Sequence, residues 1–203
     1  MTGLGLAFGK MGKMGSPGVA GEVEAAPNLI ANSNTFNGAG WQFTDIDVPT
    51  TGVADPDGGN DAWLMVDDAG GGSGPVRLRY SFVTVELSTP HVQSIWVDPA
   101  GVDWFYMAYS AGGIIAVQYF DLLNGVPGVV ENDVDSAIMT PDGDFYRCEM
   151  RFITDSIDNT ALIDFRLALA EGNTTVPLDG TSSVNIWRAK LEAGLAATPW
   201  IDG

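Results

Sequence analysis

The chain has 203 residues, 45% of them hydrophobic, and sets 9 basic against 26 acidic residues for a formal charge of -17. That length suits one sizeable core and is short for two, and the hydrophobic share argues against a disordered polymer. The charge disfavours binding a phosphate backbone through a broad positive surface, which takes clustered Lys and Arg. No apolar run nears the roughly 20 residues of a membrane-spanning helix, so neither nucleic acid binding nor membrane insertion is expected.

Residues 1–26 read as an extended N-terminal arm, rich in Gly, Ala and Met and without helical or strand period. Lys10 and Lys13 are the only charges in the first 21 residues, giving +2 there against -19 for the remainder. Both lysines follow the apolar stretch, the reverse of a secretory signal. Leu4, Leu6 and Phe8 are apolar enough to order on a partner, and Lys10 and Lys13 suit an acidic partner surface. The arm is therefore read as an anchor to a larger assembly, against the default of an inert terminal tail.

From residue 27 onward the pattern becomes strand, turn, strand. The loop ADPDGGNDA packs Asp55, Asp57 and Asp61 close together, with Gly58-Gly59 permitting a sharp bend. Calcium takes several oxygens on such a loop. Asx residues are also the usual turn formers, and a plain turn is the preferred account. PVRLRYSF then alternates Val76, Leu78, Tyr80 and Phe82 with polar residues, which predicts a strand with those four on the core. HVQSIWV, DWFYMAYS and IIAVQYFDL follow as further strands. In DWFYMAYS, Trp104 and Tyr106 share one face while Phe105, Met107 and Tyr109 share the other. Sugar rings offer C–H faces that stack on aromatic planes, so Trp104, Tyr106 and Tyr109 are the candidate glycan contacts. The competing account, favoured on burial statistics, is that large aromatics here fill a core.

FYRCEMRF places Tyr146, Cys148, Met150 and Phe152 on one side, and ALIDFRLAL does the same with Ile163, Phe165, Leu167 and Leu169. DPDGG, NGVPG, PDGD and LDG supply turn residues between strands. Many short strands with this punctuation predict an all-β fold, an antiparallel β-sandwich of jelly-roll type over residues 27–203. The C-terminal run ending in Thr-Pro-Trp-Ile keeps Trp200 and Ile201 for packing, either over the sandwich edge or onto a neighbouring subunit.

Three segments carry a family resemblance. NLIANSNTFNGAGWQ, then YFDLLNGVPG with GDFYRCEMRF, and finally DGTSSVNIWRAKLEAGLAATPWIDG are similar, in order and spacing, to carbohydrate-binding-like jelly-roll domains of tailed-phage virion proteins. The resemblance implies a non-enzymatic module located on the virion, as part of a tail, fibre or head spike. Its implied partners are other virion proteins, copies of itself and host-surface glycan. In distantly similar carbohydrate-binding modules the last strand carries an acidic pair near a structural calcium, where this chain has Trp187 and Arg188.

Residue types disfavour catalysis as well. His91 is the only histidine and Cys148 the only cysteine, and no Gly-x-Ser-x-Gly elbow is present. No cofactor is expected beyond the calcium alternative at Asp55, Asp57 and Asp61.

Overall fold

Period-two alternation along each strand puts one row of side chains between two sheets and the other row outside. The computed structural model describes residues 24–203, so Leu4, Leu6, Phe8, Lys10 and Lys13 lie outside the described residues. In chain order the strands are β1 (Trp41–Thr44), β2 (Thr50–Val53), β3 (Ala62–Val66), β4 (Ser73–Pro75), β5 (Arg77–Thr84), β6 (Pro90–Pro99), β7 (Trp104–Ala111) and β8 (Ile114–Asp121). They continue as β9 (Val126–Pro127), β10 (Glu131–Asn132), β11 (Val134–Asp142), β12 (Phe145–Ile153), β13 (Thr160–Ala168), β14 (Thr175–Pro177) and β15 (Ser183–Ala193). No helix occurs among the described residues.

A seven-stranded sheet runs β1-β5-β13-β7-β8-β10, with β9 also paired to β8. A six-stranded sheet runs β11-β12-β6-β15-β3-β2, and β14 pairs β4 in a small ribbon. The pairings are antiparallel, and the fold is the all-β sandwich of jelly-roll type that the turn spacing predicts.

The core lies between the sheets. Phe105, Met107 and Tyr109 enter it from β7, Ile163, Phe165 and Leu167 from β13, and Cys148, Met150 and Phe152 from β12. Burying a large side chain of this kind stabilises the fold by about 1.5–3 kcal/mol. Two expected core residues are elsewhere. Ala161 pairs with Val83 and Leu162 with Ser81, so Phe82 is a bulged residue with φ 64 and stands 77% exposed. The bulge resets the alternation, and Val83 and Val85 fill the core instead. Leu169 falls one residue beyond β13 and is exposed.

The C-terminal segment answers what its apolar residues pack against. After β15 the chain turns back over the outer face of the six-stranded sheet. The Thr198 carbonyl accepts from Arg147 Nη2 at 2.9 Å, and the Thr198 N–H donates to Glu192 Oε1 at 2.8 Å. The Thr198 hydroxyl accepts from Ala26 N and from Lys190 Nζ and donates to Glu192 Oε2, which uses every site a hydroxyl has. Trp200 lies against the Arg188 guanidinium, 4.6 Å from the ring centroid, and the Ile201 carbonyl accepts from Asn28 Nδ2 at 3.3 Å. Of the two expected assembly contacts, Trp200 is thus engaged by its own chain, whereas the Ile201 side chain is exposed and only its carbonyl is held. Asn28 also binds Ala189 O and Leu191 N, so both ends of the described chain meet at β15.

Candidate functional site

The outer face of the seven-stranded sheet brings together chemistry from five strands. Cross-strand register sets Thr44 of β1 beside Arg77 of β5, Arg77 beside Arg166 of β13, Arg166 beside Tyr106 of β7, and Tyr106 beside Tyr119 of β8. These residues form one row across the sheet. From Arg77 to Tyr119 it spans three strand spacings, about 14 Å. The row on one side holds Gln42, Arg79, Asp164, Ala108 and Val117, and the row on the other side holds Ala168, Trp104 and Asp121.

Aromatic and charged groups divide this face. Tyr106 and Tyr119 meet edge to face at 5.1 Å, with Trp104, Ala108, Val117 and Ala168 packed around them. Trp104 is half-buried, whereas the two tyrosines are largely covered. The small side chains of Ala108 and Ala168 keep the surface low beside the rings. Burial pushes the Tyr106 and Tyr119 phenols up, so both stay neutral and can donate as well as accept. The Arg166 guanidinium lies over the Tyr106 ring at 4.8 Å, a cation–π contact.

Asp164 organises the arginines. It accepts from Arg79 Nε at 2.5 Å and Nη2 at 2.8 Å, and from Arg166 Nη2 at 2.8 Å. Burial alone works against its ionisation, but the hydrogen bonds and charges of the two guanidiniums outweigh that and hold its carboxyl below the usual range. At the far end of the face, Ser110, Ile115, Leu162, Asp158 and Thr160 line a hollow of about 210 Å³.

The expected glycan contacts therefore separate. Trp104 and Tyr106 share this outer face. Tyr109 does not join them, because the strand's alternation turns it inward, where it packs on Phe152 at 4.2 Å and is fully buried. Burial, with Asp158 and Asp155 nearby, pushes its phenol up to about 12. Tyr119, Arg77, Arg79 and Arg166 were not singled out from the sequence. Their signal was present, since each is an outward member of a recognisable strand, but only the sheet order makes them neighbours.

Asp55, Asp57 and Asp61 serve other purposes. The Asp55 carboxylate accepts from the backbone N–H groups of Asp57, Gly59 and Asp61 at 2.9–3.1 Å, which shapes the loop as a turn. Asp57 pairs with Arg188 at 2.8 Å. Among the described residues no three His, Cys, Asp or Glu side chains converge as a metal-ligand set.

His91 and Cys148 are held apart. In the β6–β12 ladder His91 faces Phe152 and Cys148 faces Ile95, four residues along, about 13 Å. Cys148 is fully buried, which pushes its thiol well above the ordinary range and away from nucleophilic use. His91 Nδ1 lies 3.0 Å from the Thr89 carbonyl, and Nε2 is buried without a partner.

Three solved structures resemble this fold. One is the enzymatically active domain of tailspike protein 4 of bacteriophage CBA120, at 13% identity and TM-score 0.50 over 82% of this chain and 21% of that one. Another is the CBM22-1–GH10 modules of xylanase 10B of Clostridium thermocellum in complex with xylohexaose, at 12% identity and TM-score 0.48 over 88% and 30%. A third, titled BiXyn10A CBM1, matches at 11% identity and TM-score 0.43 over 86% of this chain and 100% of its own. The chain spans about a fifth of the length of the tailspike domain it matches. At these identities the likeness is one of fold. No protein-family model matches the chain, and no curated protein does.

Proposed function

We propose that this protein is a non-enzymatic carbohydrate-binding sandwich that meets glycan on the outer face of its seven-stranded sheet. The observation that carries this reading is the pair of neighbouring rows in which a half-open Trp104 and the Tyr106–Tyr119 pair stand beside hydrogen-bonding guanidiniums on one side of one sheet. Aromatic planes take the C–H faces of a pyranose, and planar polar groups beside them take its hydroxyls. Binding sites typically combine such an apolar floor with a few placed polar groups.

The test is affinity electrophoresis and calorimetry of the full chain on a panel of neutral and acidic polysaccharides. Trp104→Ala is expected to weaken binding roughly tenfold or more, while Trp200→Ala, on the opposite side, leaves it unchanged. Wild-type protein that no glycan retards would end the reading.

The place of this work is proposed to be a phage virion. Support comes from the three ordered segments that resemble phage jelly-roll domains, together with the shared fold of the tailspike domain. Geometry suits display, since Ala26, Asn28 and the Thr198–Ile201 segment gather behind the six-stranded sheet, opposite the proposed binding face. Copies held side by side on a particle would raise avidity without new contacts. Deleting residues 1–20 is expected to abolish incorporation into particles, measured by blotting purified virions, and normal incorporation would remove the anchor role.

A further inference from the structure

The β5–β13 part of the proposed face carries a cluster of basic residues within an acidic protein. Seven basic residues lie beyond residue 21, and three of them, Arg77, Arg79 and Arg166, stand together on β5 and β13. Asp164 is the carboxylate among them, and it is already held by Arg79 and Arg166. Three guanidiniums against one carboxylate leave two positive charges over.

Arg77 is the group left wanting. Its Nη2 donates to the Thr44 hydroxyl at 2.9 Å, a neutral partner, and its Nε is buried with no partner. Arg166 Nε is likewise buried without one. Among the described residues Arg77 makes no ion pair, although Asp45 and Asp164 act on it from a distance. Burial foremost, with the charges of Arg79 and Arg166 adding to it, pushes its pKa down. An anion seated beside Arg77 would supply the counter-charge that it lacks among the described residues.

The other charges give the face a direction, and Asp121 of β8, in the Trp104 row, is a carboxylate on its far side from Arg77. Glu131 and Glu171 are exposed near Tyr119, at the β8–β10 side. A negatively charged ligand is repelled there and drawn to the β5–β13 side. Guanidinium suits a planar carboxylate because its fork donates two parallel hydrogen bonds. Arg77 and Arg166 are cross-strand neighbours, their backbones one strand spacing or about 4.8 Å apart, and Tyr106 is the next step along the same row.

We propose, resting on the glycan-binding reading above, that the ligand is an acidic glycan whose carboxylate sits on the Arg77–Arg166 cluster while the adjoining sugar ring lies against Trp104. The protein's overall negative charge does not prevent this, because exposed charges farther than about 8 Å are largely screened at physiological salt. Direct contacts then decide the affinity.

The experiment titrates the full chain with polygalacturonate, alginate, dextran sulfate, xylan and mannan, comparing wild type with Arg77→Gln, Arg77→Lys and Arg151→Gln. Arg151 lies on the outer face of the other sheet and serves as a charge-matched control. The expected result is that a uronate polymer binds tightest and that Arg77→Gln weakens it about tenfold or more. Arg77→Lys, which keeps the charge without the fork, recovers part of the loss, and Arg151→Gln changes nothing. Should Arg77→Gln fail to fold, Arg166→Gln is read instead, because it leaves the Arg79–Asp164 pair in place. Dextran sulfate bound as tightly as the uronates would overturn the carboxylate assignment. Xylan or mannan bound as tightly as the uronates, with Arg77→Gln silent, would overturn this inference and leave glycan binding standing. No binding to any polymer would overturn both.

Discussion

Replacing Glu192 with alanine is expected to lower the unfolding free energy by about 3–5 kcal/mol. Lys190 and Glu192 are buried, their charged atoms 3.0 Å apart, with side chains 0% and 1% exposed. All three Lys190 Nζ donors are used, on Glu192, the Thr198 hydroxyl at 2.7 Å and the Pro199 carbonyl at 2.9 Å. Truncating Glu192 strands a buried ammonium and removes the acceptor for both the Thr198 N–H and its hydroxyl. A charge without its counterion in a low-dielectric interior is far costlier than the intact pair is stabilising. The double change Lys190→Met with Glu192→Met is therefore expected to cost less than the two single changes summed, a coupling that urea unfolding of the four proteins would measure. Additive losses would show that the pair acts as two independent groups.

The pair was readable as residues and not as a lock. Strict alternation in NIWRAKLEA sends Trp187 and Ala189 to the same side, yet Trp187 faces outward and Ala189 lies in the core. The reason is a bulge between Trp187 and Lys190, where Arg188 takes φ 50 and donates its N–H to Asn34 Oδ1 at 3.0 Å. That hydrogen bond joins residues 154 apart in sequence, which no local pattern reveals. Phe82 misled for the same physical cause. Tyr146, Cys148, Met150 and Phe152 alternated truly because β12 pairs with β6 without a break. The proposed glycan face was half legible. Alternation separated Trp104 and Tyr106 from Tyr109, but the meeting of Tyr106 with Tyr119 and Arg166 depends on strand order, which is set by packing of the whole sandwich.

Phe165→Ala is expected to destabilise the protein by about 3–5 kcal/mol, the usual cost of a cavity at a buried aromatic. Phe165 is fully buried at the middle of the seven-stranded sheet, stacked on Phe105 at 6.0 Å and tilted against Trp41 at 6.1 Å. It lies on the inner side of β13, directly between Asp164 and Arg166 on the outer side. For a chain of this size the loss corresponds to a fall of about 6–20 °C in melting temperature. Well below that temperature the β13 backbone still holds Arg166 and Asp164 in register, so the proposed glycan binding is expected to stay within about twofold of wild type in affinity. Calorimetry of unfolding and of binding on one preparation checks both. A small thermal shift would mean the neighbours collapse into the space. A large loss of affinity would mean the outer row depends on the packing beneath it.

The order in which the strands are made has its own consequence. β13 sits between β5 and β7, and β15 between β6 and β3, so the central strands of both sheets are among the last three of the fifteen. A ribosome adding about 5–20 residues per second takes roughly 10–40 s over 203 residues. For about a quarter of that time, between the completion of β7 and the start of β13, strands β3, β5, β6 and β7 have been made while the strands that separate them have not. Neither sheet can close until β13 and β15 have left the exit tunnel, and closure then depends on pairings distant in sequence, which form slowly. Until then the nascent chain carries unpaired apolar edges, and its surplus of carboxylates is what opposes their sticking to one another.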